Sequence, residues 1–481
     1  MQFKEPLWTS AELSAVCGGI IAQPWFADGL QADSRDVLPG DIYVALIGDG
    51  TDGHMYVADA FERGAIAAII SHTVEGVAWA DPRLIHVADT AMTLQRMAAH
   101  ARERAPVKSI AVTGTAGKTS VVHALSQCLA PVDVTHMSAS SLRGKYSVLL
   151  SLARLPRQSR YSVFKVGVHG QEAVKVGGQL VRPDVAVVTV VGPSHTESFP
   201  DEDAIAAEKA SLIQTLKPSG IAIIGIDHDH GGHLKKVASD MGVSVVTVSV
   251  LGDADVKPLR MTEHNDCTCL TADIGGTVVT YKISQPGREW VLNSLLVLAA
   301  VKAVDGDLGQ AAVALASLDA VPGRGRTHKL NLSLGQATLI DDSFNANPLG
   351  VKAALRRLAL SPVVKSRKRV AVLSDMAELG LRSQEMHLSL VNDLRRSNVS
   401  KVIAFGDQMA SLGEIAGIAT ERWTSPLKSA ERLMAELQPG DAVMVKGANH
   451  MRLGGLVNEM LKISKNETEF DGARARTVLS K

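Results

Sequence analysis

Eight residues, Thr113-Gly114-Thr115-Ala116-Gly117-Lys118-Thr119-Ser120, constrain this chain more than any other stretch. The apolar run Ser109-Ile110-Ala111-Val112 enters it, and the helix-permissive run Val121-Val122-His123-Ala124-Leu125 leaves it. That order reads as strand, tight loop, helix. Backbone N–H groups of such a loop, together with a helix N-terminus, form a cradle for anions. There Lys118 can reach the β- and γ-phosphates of a nucleotide, and the Thr119 hydroxyl can ligate Mg²⁺. The pattern G-x-x-x-x-G-K-[ST] is incomplete, because Val112 stands where its first glycine belongs. The plain alternative is a glycine-rich turn before a helix. Gly-Lys-Thr at a strand-to-helix junction speaks against it.

A length of 481 residues implies about three domains at roughly 150 residues each. The 46% hydrophobic content and 41 glycines suit an α/β protein with many tight turns. Lys+Arg and Asp+Glu both total 50, so no global charge favours nucleic acid or an anionic membrane. Cys17, Cys128, Cys267 and Cys269 make no disulfide framework in so long a chain. Cys267-Thr268-Cys269 is too closely spaced for a usual zinc pair. The N-terminal Met1-Gln2-Phe3-Lys4-Glu5-Pro6 has no apolar signal region, and no apolar run reaches about 18 residues. A reducing cytoplasm, with no membrane partner, is the expectation.

Along the chain, Asp41 to Leu46 and Ala67 to Ile70 read as strands around a helix from Tyr56 to Arg63, which Gly64 closes. Charge and a proline in 101–108 mark a first boundary. The middle third has β-branched runs at Tyr161 to Val166, Val185 to Val191, Ile221 to Ile226 and Val243 to Val248, separated by helical stretches. That is the pattern of a mostly parallel sheet covered on both faces. Val321-Pro322-Gly323-Arg324-Gly325 marks a second boundary. The last third alternates again, with strands at Ala337 to Ile340, Arg369 to Leu373, Lys401 to Phe405 and Ala442 to Val445. The polar tail from Lys465 reads as frayed. The expectation is a three-domain α/β protein. A central doubly wound P-loop ATPase-type sheet (107–324) is flanked by an N-terminal α/β domain (1–106) and a C-terminal Rossmann-like domain (325–481).

Each third also carries a run that resembles the Mur ligases, the ATP-dependent amide-forming enzymes of peptidoglycan synthesis. Asp33-Ser34-Arg35, Pro39-Gly40-Asp41 and Asp52-Gly53-His54 look like the family's uridine-nucleotide-binding domain. Gly114 to Thr119 is similar to the family's phosphate loop, which accounts for the missing glycine. Asp341-Asp342-Ser343-Phe344-Asn345-Ala346-Asn347-Pro348, Asp375-Met376-Ala377-Glu378-Leu379-Gly380 and Val445-Lys446-Gly447 look most like the branch that adds D-alanyl-D-alanine. The Asp-Asn-Pro-Arg run of diaminopimelate-adding members is absent.

The resemblance implies that ATP activates a carboxylate to an acyl phosphate, which an amine attacks with release of ADP and phosphate. Such chemistry needs electrostatic cover and metal-bridged phosphates more than a protein nucleophile. It implies a nucleotide site of Gly114, Thr115, Ala116, Gly117, Lys118, Thr119 and Ser120. Asn293 is implied at the adenine, Arg324 at the phosphates and Asp342 at the ribose. It implies Thr119 as a Mg²⁺ ligand, His195 as a ligand of a second metal and Lys209 as a carbamate-bearing lysine, so that Lys118, Lys209, His195 and Arg324 serve catalysis. Substrate contacts are implied at Ser34, Arg35, Asn345 and Lys446. The implied partners are a small carboxylic acid and an amine, with the chain a monomer or small homo-oligomer. Without the resemblance, His195 reads as a loop residue, Lys209 as a solvated helix lysine, and Arg324 as a linker arginine. Asn293 then reads as a buried helix polar group, Asp342 as a turn or capping residue, and Ser34-Arg35 as a polar turn.

Several positions depart from the family's pattern. Lys165 stands where a metal-binding glutamate belongs, in Phe164-Lys165-Val166-Gly167. An ammonium about 4 Å from a dication costs on the order of 8 kcal/mol at an effective dielectric near 20. Lys165 must therefore turn away, lose its proton or replace a metal at the phosphates. Glu289-Trp290 replaces a His-Asn pair, Ser374 replaces a glycine, and Ser138 to Gly144 replaces an Asn- and Thr-rich loop. These changes suggest an acid–amine ligase diverged toward a non-cell-wall substrate. The alternative is a catalytically weak, nucleotide-binding homologue acting as a partner or regulator.

Overall fold

The computed structural model describes the chain except residues 1–4, 19–20, 22, 49, 140–143, 169, 265, 364–366 and 479–481, and except the side chains of 466–478. Ser140 to Arg143, the centre of the divergent loop at 138–144, lie outside the described residues. The architecture is α/β in three parts, each built on its own largely parallel sheet.

Among the described residues the central sheet has nine strands. In spatial order they are Thr135–Met137, Tyr161–Lys165, Lys108–Thr113, Val185–Val188, Ile221–Gly225 and Ser244–Val248, then Val256–Glu263, Thr268–Ile274 and Val278–Ile283. The first six are mutually parallel. Chain order reverses on the two sides of Lys108–Thr113, so the loop after this strand opens at the topological switch point. Ile110, Ala111 and Val112 are fully buried, as a parallel strand covered on both faces requires. The helices Lys118–Leu129 and Arg288–Ala303 cover one face, in a core shared with Ile110, Val112, Leu125, Leu295 and Val297.

The four β-branched runs of the middle third are strands separated by helices, and three further strands that the sequence reading did not name follow them. Val256–Glu263, Thr268–Ile274 and Val278–Ile283 form an antiparallel meander on the edge of the sheet. Thr268–Ile274 alternates strictly in burial, a period-two signal of the kind a strand with one packed face shows. The four cysteines are free.

The last sheet runs Arg326–Leu332, Gly335–Asp342, Ala442–Lys446, Arg369–Ser374, Lys401–Phe405, Ala419–Arg422. Its first pair is an antiparallel hairpin and the rest is parallel. The tail needs correction: a helix, Leu453–Val478, continues well past Lys465. Its start packs Leu453, Leu456, Val457 and Met460 into the sheet's core, which gives the polar remainder a template to extend.

The first part has a four-stranded parallel sheet, Gly29–Gln31, Asp41–Val44, Ala67–Ile70, Leu84–His86. Its core is continuous with one face of the central sheet: Trp8, Leu13, Ile42 and Met97 belong to the same buried cluster as Leu152, Phe164 and Leu212. The Trp8 indole donates to the Ala153 carbonyl at 2.8 Å, and the Arg154 guanidinium donates to the Leu30 carbonyl at 2.6 Å.

Candidate active site

The loop after Lys108–Thr113 depends on glycine at two points. Gly114 and Gly117 have φ of +137° and +83°. A Cβ on Gly114 would lie 2.0 Å from Thr189 Oγ1, and one on Gly117 would lie 2.7 Å from Asn293 Oδ1. The loop is stitched to the end of the neighbouring strand. Thr189 Oγ1 donates to the Ala116 carbonyl at 2.5 Å, and Thr115 Oγ1 donates to the Gly192 carbonyl at 2.9 Å. Gly117 then caps the helix Lys118–Leu129.

A cleft of about 990 Å³ opens over this loop, between the central and last sheets. Thr115 to Ser120 line its floor. Lys118 Nζ donates to the Gly114 carbonyl and, at 3.1 Å, to the Thr115 carbonyl. Burial holds the Lys118 ammonium well below its ordinary range, and the charges of Lys209, Arg324 and Lys165 depress it further. Lys118, Lys165 and Arg324 all line the cleft where the loop opens, an arrangement suited to a polyanion. Lys165 ends the strand beside the loop, in register with Val112, and lines the cleft. Its backbone N–H donates to Ser138 Oγ at 2.9 Å.

Lys209 lies behind this floor, not on it. It is 1% exposed at the end of the helix Glu202–Ala210, and burial lowers its ammonium to about 8, with Glu208 opposing the shift.

The opposite wall comes from the last third. Asp342 and Lys446 are register partners on adjacent parallel strands, and Lys446 Nζ donates to Asp342 Oδ2 at 2.7 Å and to the Asn345 carbonyl at 2.9 Å. Asn347 caps the helix Pro348–Leu360 by accepting from Gly350 N–H, with Pro348 in its first turn. The linker residue Arg324 donates to Thr119 Oγ1 at 3.3 Å and lies 3.9 Å from the Phe344 ring centroid. His195, at φ +53°, pairs through Nδ1 with Glu378 Oε2, and Thr196 Oγ1 donates to the Leu379 carbonyl at 2.8 Å.

Of the residues singled out in the sequence, Thr115 to Ser120, His195, Asn293, Arg324, Asp342, Asn345 and Lys446 share this cleft. Gly114 shapes the loop beneath it. Ser34 and Arg35 do not reach it. They form a 3-10 turn in the first part, where Arg35 is exposed and paired with Asp33 and Ser34 bonds Asp59. The nearby Asp52 accepts from His54 Nδ1 at 2.6 Å and bonds His72 Nε2 at 3.0 Å. His54 Nε2 accepts from Ser71 N–H at 2.9 Å, so both nitrogens of that ring are in use.

Three cleft-related residues carried no role in the sequence reading. Thr189 braces the loop. Glu378 holds His195, and its quoted motif was the available signal. Glu289 lines the cleft from the helix Arg288–Ala303, where burial raises its carboxyl to about 7.

The residues suit a nucleoside triphosphate and one dication. The glycine-dependent cradle and the converging cations match the phosphates, and the Thr119 hydroxyl is a hard oxygen donor at the loop's end. They suit a second dication poorly. Lys165 brings positive charge to the cleft, and two of its lining carboxylates, Glu378 and Asp342, are already paired with His195 and Lys446.

The chain is similar to known proteins over most of its length. Residues 112–301 match the Mur ligase middle domain, and residues 325–449 match the Mur ligase glutamate ligase domain. The chain is 28% identical over 436 residues to the UDP-N-acetylmuramoyl-tripeptide–D-alanyl-D-alanine ligase of Escherichia coli K12, covering 90% of this chain and 93% of that protein. The crystal structure of MurF from Acinetobacter baumannii superimposes with a TM-score of 0.79 at 23% identity, covering 95% of this chain and 99% of that one. The MurF ligase of Thermotoga maritima in complex with ADP gives 0.74 at 23% identity, covering 91% and 98%.

Proposed function

The chain belongs to the Mur ligase family of ATP-dependent amide ligases, and on that premise we propose that it adds D-alanyl-D-alanine to a UDP-N-acetylmuramoyl-tripeptide. The observation that carries the reading is the gathering of Lys118, Lys165 and Arg324 in the cleft, around a phosphate loop that faces Asp342, Asn345 and Lys446. Similarity over nine-tenths of a cell-wall ligase favours a cell-wall substrate over a diverged one.

In this reading a carboxylate oxygen of the acyl substrate attacks the γ-phosphorus of ATP, and ADP leaves. The amine nitrogen of the second substrate then attacks the acyl carbon, loses a proton, and phosphate leaves. Lys118 and Arg324 grip the transferring phosphate and offset the charge that builds on it. Asn293 contacts the base and Asp342 the ribose. Thr119 would hold Mg²⁺, which when bound neutralises phosphate charge, and His195 is the ligand that the family resemblance implies for a second ion. His195 reaches that role only by leaving Glu378. Lys209, lowered to about 8 by burial, has a neutral fraction able to add CO₂ and lose a proton, which yields a carbamate anion behind the floor. Asn345 and Lys446 face the amine substrate. Ser34 and Arg35 contact the uridine nucleotide in the first domain, 1–106, joined to a catalytic domain at 107–324 and an amine-binding domain at 325–481.

Incubating the protein with ATP, Mg²⁺, UDP-N-acetylmuramoyl-tripeptide and D-alanyl-D-alanine tests this, read by ADP release and product mass. A pentapeptide product with stoichiometric ADP supports it. Product only from other acid–amine pairs would move the substrate assignment. Nucleotide binding without turnover on any pair would favour the weak homologue that Lys165 suggests.

A further inference from the structure

Glu289 lines the cleft, yet the chemistry above does not use it. It is in the first turn of the helix Arg288–Ala303, and its carboxylate folds back near Gly287 and accepts from its own backbone N–H, which leaves further lone pairs to the cleft. A Cβ on Gly287, which has φ +110°, would meet the Glu289 carboxylate oxygens at 2.4 and 2.8 Å. The charged groups facing it are Arg356 and Arg357 on the helix Pro348–Leu360 and Asp342 at the strand end. Arg357 is committed elsewhere, donating to Thr327 Oγ1 at 3.1 Å and to Gln285 Oε1 at 3.4 Å. Asp342 is paired with Lys446.

Asn293 follows Glu289 by four residues, so the two share one helix face, a turn apart. The Asn293 amide oxygen faces Gly117, which turns its NH₂ the other way. One face of this helix therefore offers the cleft a donor near the phosphate loop and an acceptor one turn away.

Resting on the reading of this cleft as a nucleotide site, we propose that Asn293 and Glu289 read the major-groove edge of the purine and select adenine over guanine. Adenine presents N7 as an acceptor and its exocyclic N6 amine as a donor on that edge, whereas guanine presents two acceptors, N7 and O6. The Asn293 NH₂ donates to N7 in either base. The Glu289 carboxylate accepts from the N6 amine of adenine but opposes O6 of guanine, which leaves two acceptors facing each other out of water. A first-turn glutamate can also serve only the helix, through the partial positive charge of its N-terminus. That role would change stability and leave base preference untouched.

The test measures ADP and GDP binding to the full-length chain at pH 8.5, by displacement of a fluorescent ADP. The wild type should prefer ADP by about ten-fold or more. Glu289→Gln can turn its amide NH₂ toward O6, so the ADP/GDP ratio should fall about ten-fold. Glu289→Ala should lower the ratio, both by weakening ADP and by relieving the opposition to GDP. Equal wild-type affinity for both, or a ratio unchanged in both variants while melting temperature shifts, would overturn the proposal and leave the nucleotide site standing. Failure of the wild type to bind either nucleotide would overturn the nucleotide site itself and the proposal with it.

Discussion

Arg324 donates a hydrogen bond to Thr119 at 3.3 Å across 205 positions of sequence. The linker before the last sheet therefore touches the first turn after the phosphate loop. The contact is held from both sides. Asp341 accepts from Gly323 N–H at 2.9 Å, and the Arg324 guanidinium lies against the Phe344 ring.

A nucleotide that engages both Lys118 and Asp342 should tighten the packing of the last domain on the middle one. Small-angle scattering should then change when a non-hydrolysable ATP analogue is added, and Arg324→Ala should blunt the change. Identical profiles with and without the analogue would count against nucleotide-linked closure.

Lys118→Ala should reduce turnover by about 10²–10³-fold or more, since it removes a charge from the transferring phosphate. Phosphate release in a coupled assay measures this. Wild-type turnover in the variant would remove the phosphate-loop assignment.

Lys165→Glu exchanges a cation on the cleft floor for a carboxylate, a change of two charge units beside the phosphates. If Lys165 serves as a phosphate contact in place of a metal, activity should drop at low Mg²⁺ and recover in part at high Mg²⁺. Mn²⁺ titration followed by electron paramagnetic resonance, with nucleotide present, should count one tightly bound ion in the wild type and a second in the variant. Two tight ions in the wild type would show that Lys165 does not displace a metal.

Asp341→Ala should destabilise the fold by about 2–4 kcal/mol. The carboxylate is 6% exposed and also accepts from Ser343 Oγ at 2.6 Å and Ser343 N–H at 3.2 Å, so its loss strands several buried donors. Urea unfolding measures the cost. A loss below about 0.5 kcal/mol would mean that water replaces the carboxylate at this site.

Glu289 makes stability depend on pH. Its carboxyl titrates near 4.5 without burial and near 7 in the fold. Between those values the folded chain keeps a proton that the unfolded chain has released, so stability falls as pH rises from about 4.5 to about 7 and stays lower above it. Glu289→Gln removes that dependence. The variant should be more stable than wild type at pH 8.5, on the order of 2 kcal/mol, with the gain vanishing by pH 4.5. A pH-independent difference in thermal melts would assign the effect to packing instead.

The local devices of this molecule are legible in its sequence. Gly114, Gly117 and Lys118 between an apolar run and a helix announce the phosphate loop, because its turn chemistry involves only neighbouring residues. The β-branched runs at 161–166, 185–191 and 221–226 announce parallel strands, because burial on both faces leaves no polar alternation. The strand Thr268–Ile274 was partly recoverable, since Leu270 to Ile274 alternates apolar and polar, but the place of the meander on the edge of the central sheet was not.

The sequence by itself determined which segments become strand, loop or helix, since periodicity and backbone conformational limits act over a few residues. Only the tertiary structure decided what those segments bring together. Arg324 meets Thr119, Asp342 faces Lys446, Lys165 turns onto the cleft floor, Lys209 withdraws behind it, and Ser34 and Arg35 stay outside the cleft. These outcomes depend on strand order and on the packing of one sheet against another. Burying apolar faces sets that packing over the whole chain, and no short stretch of sequence encodes it.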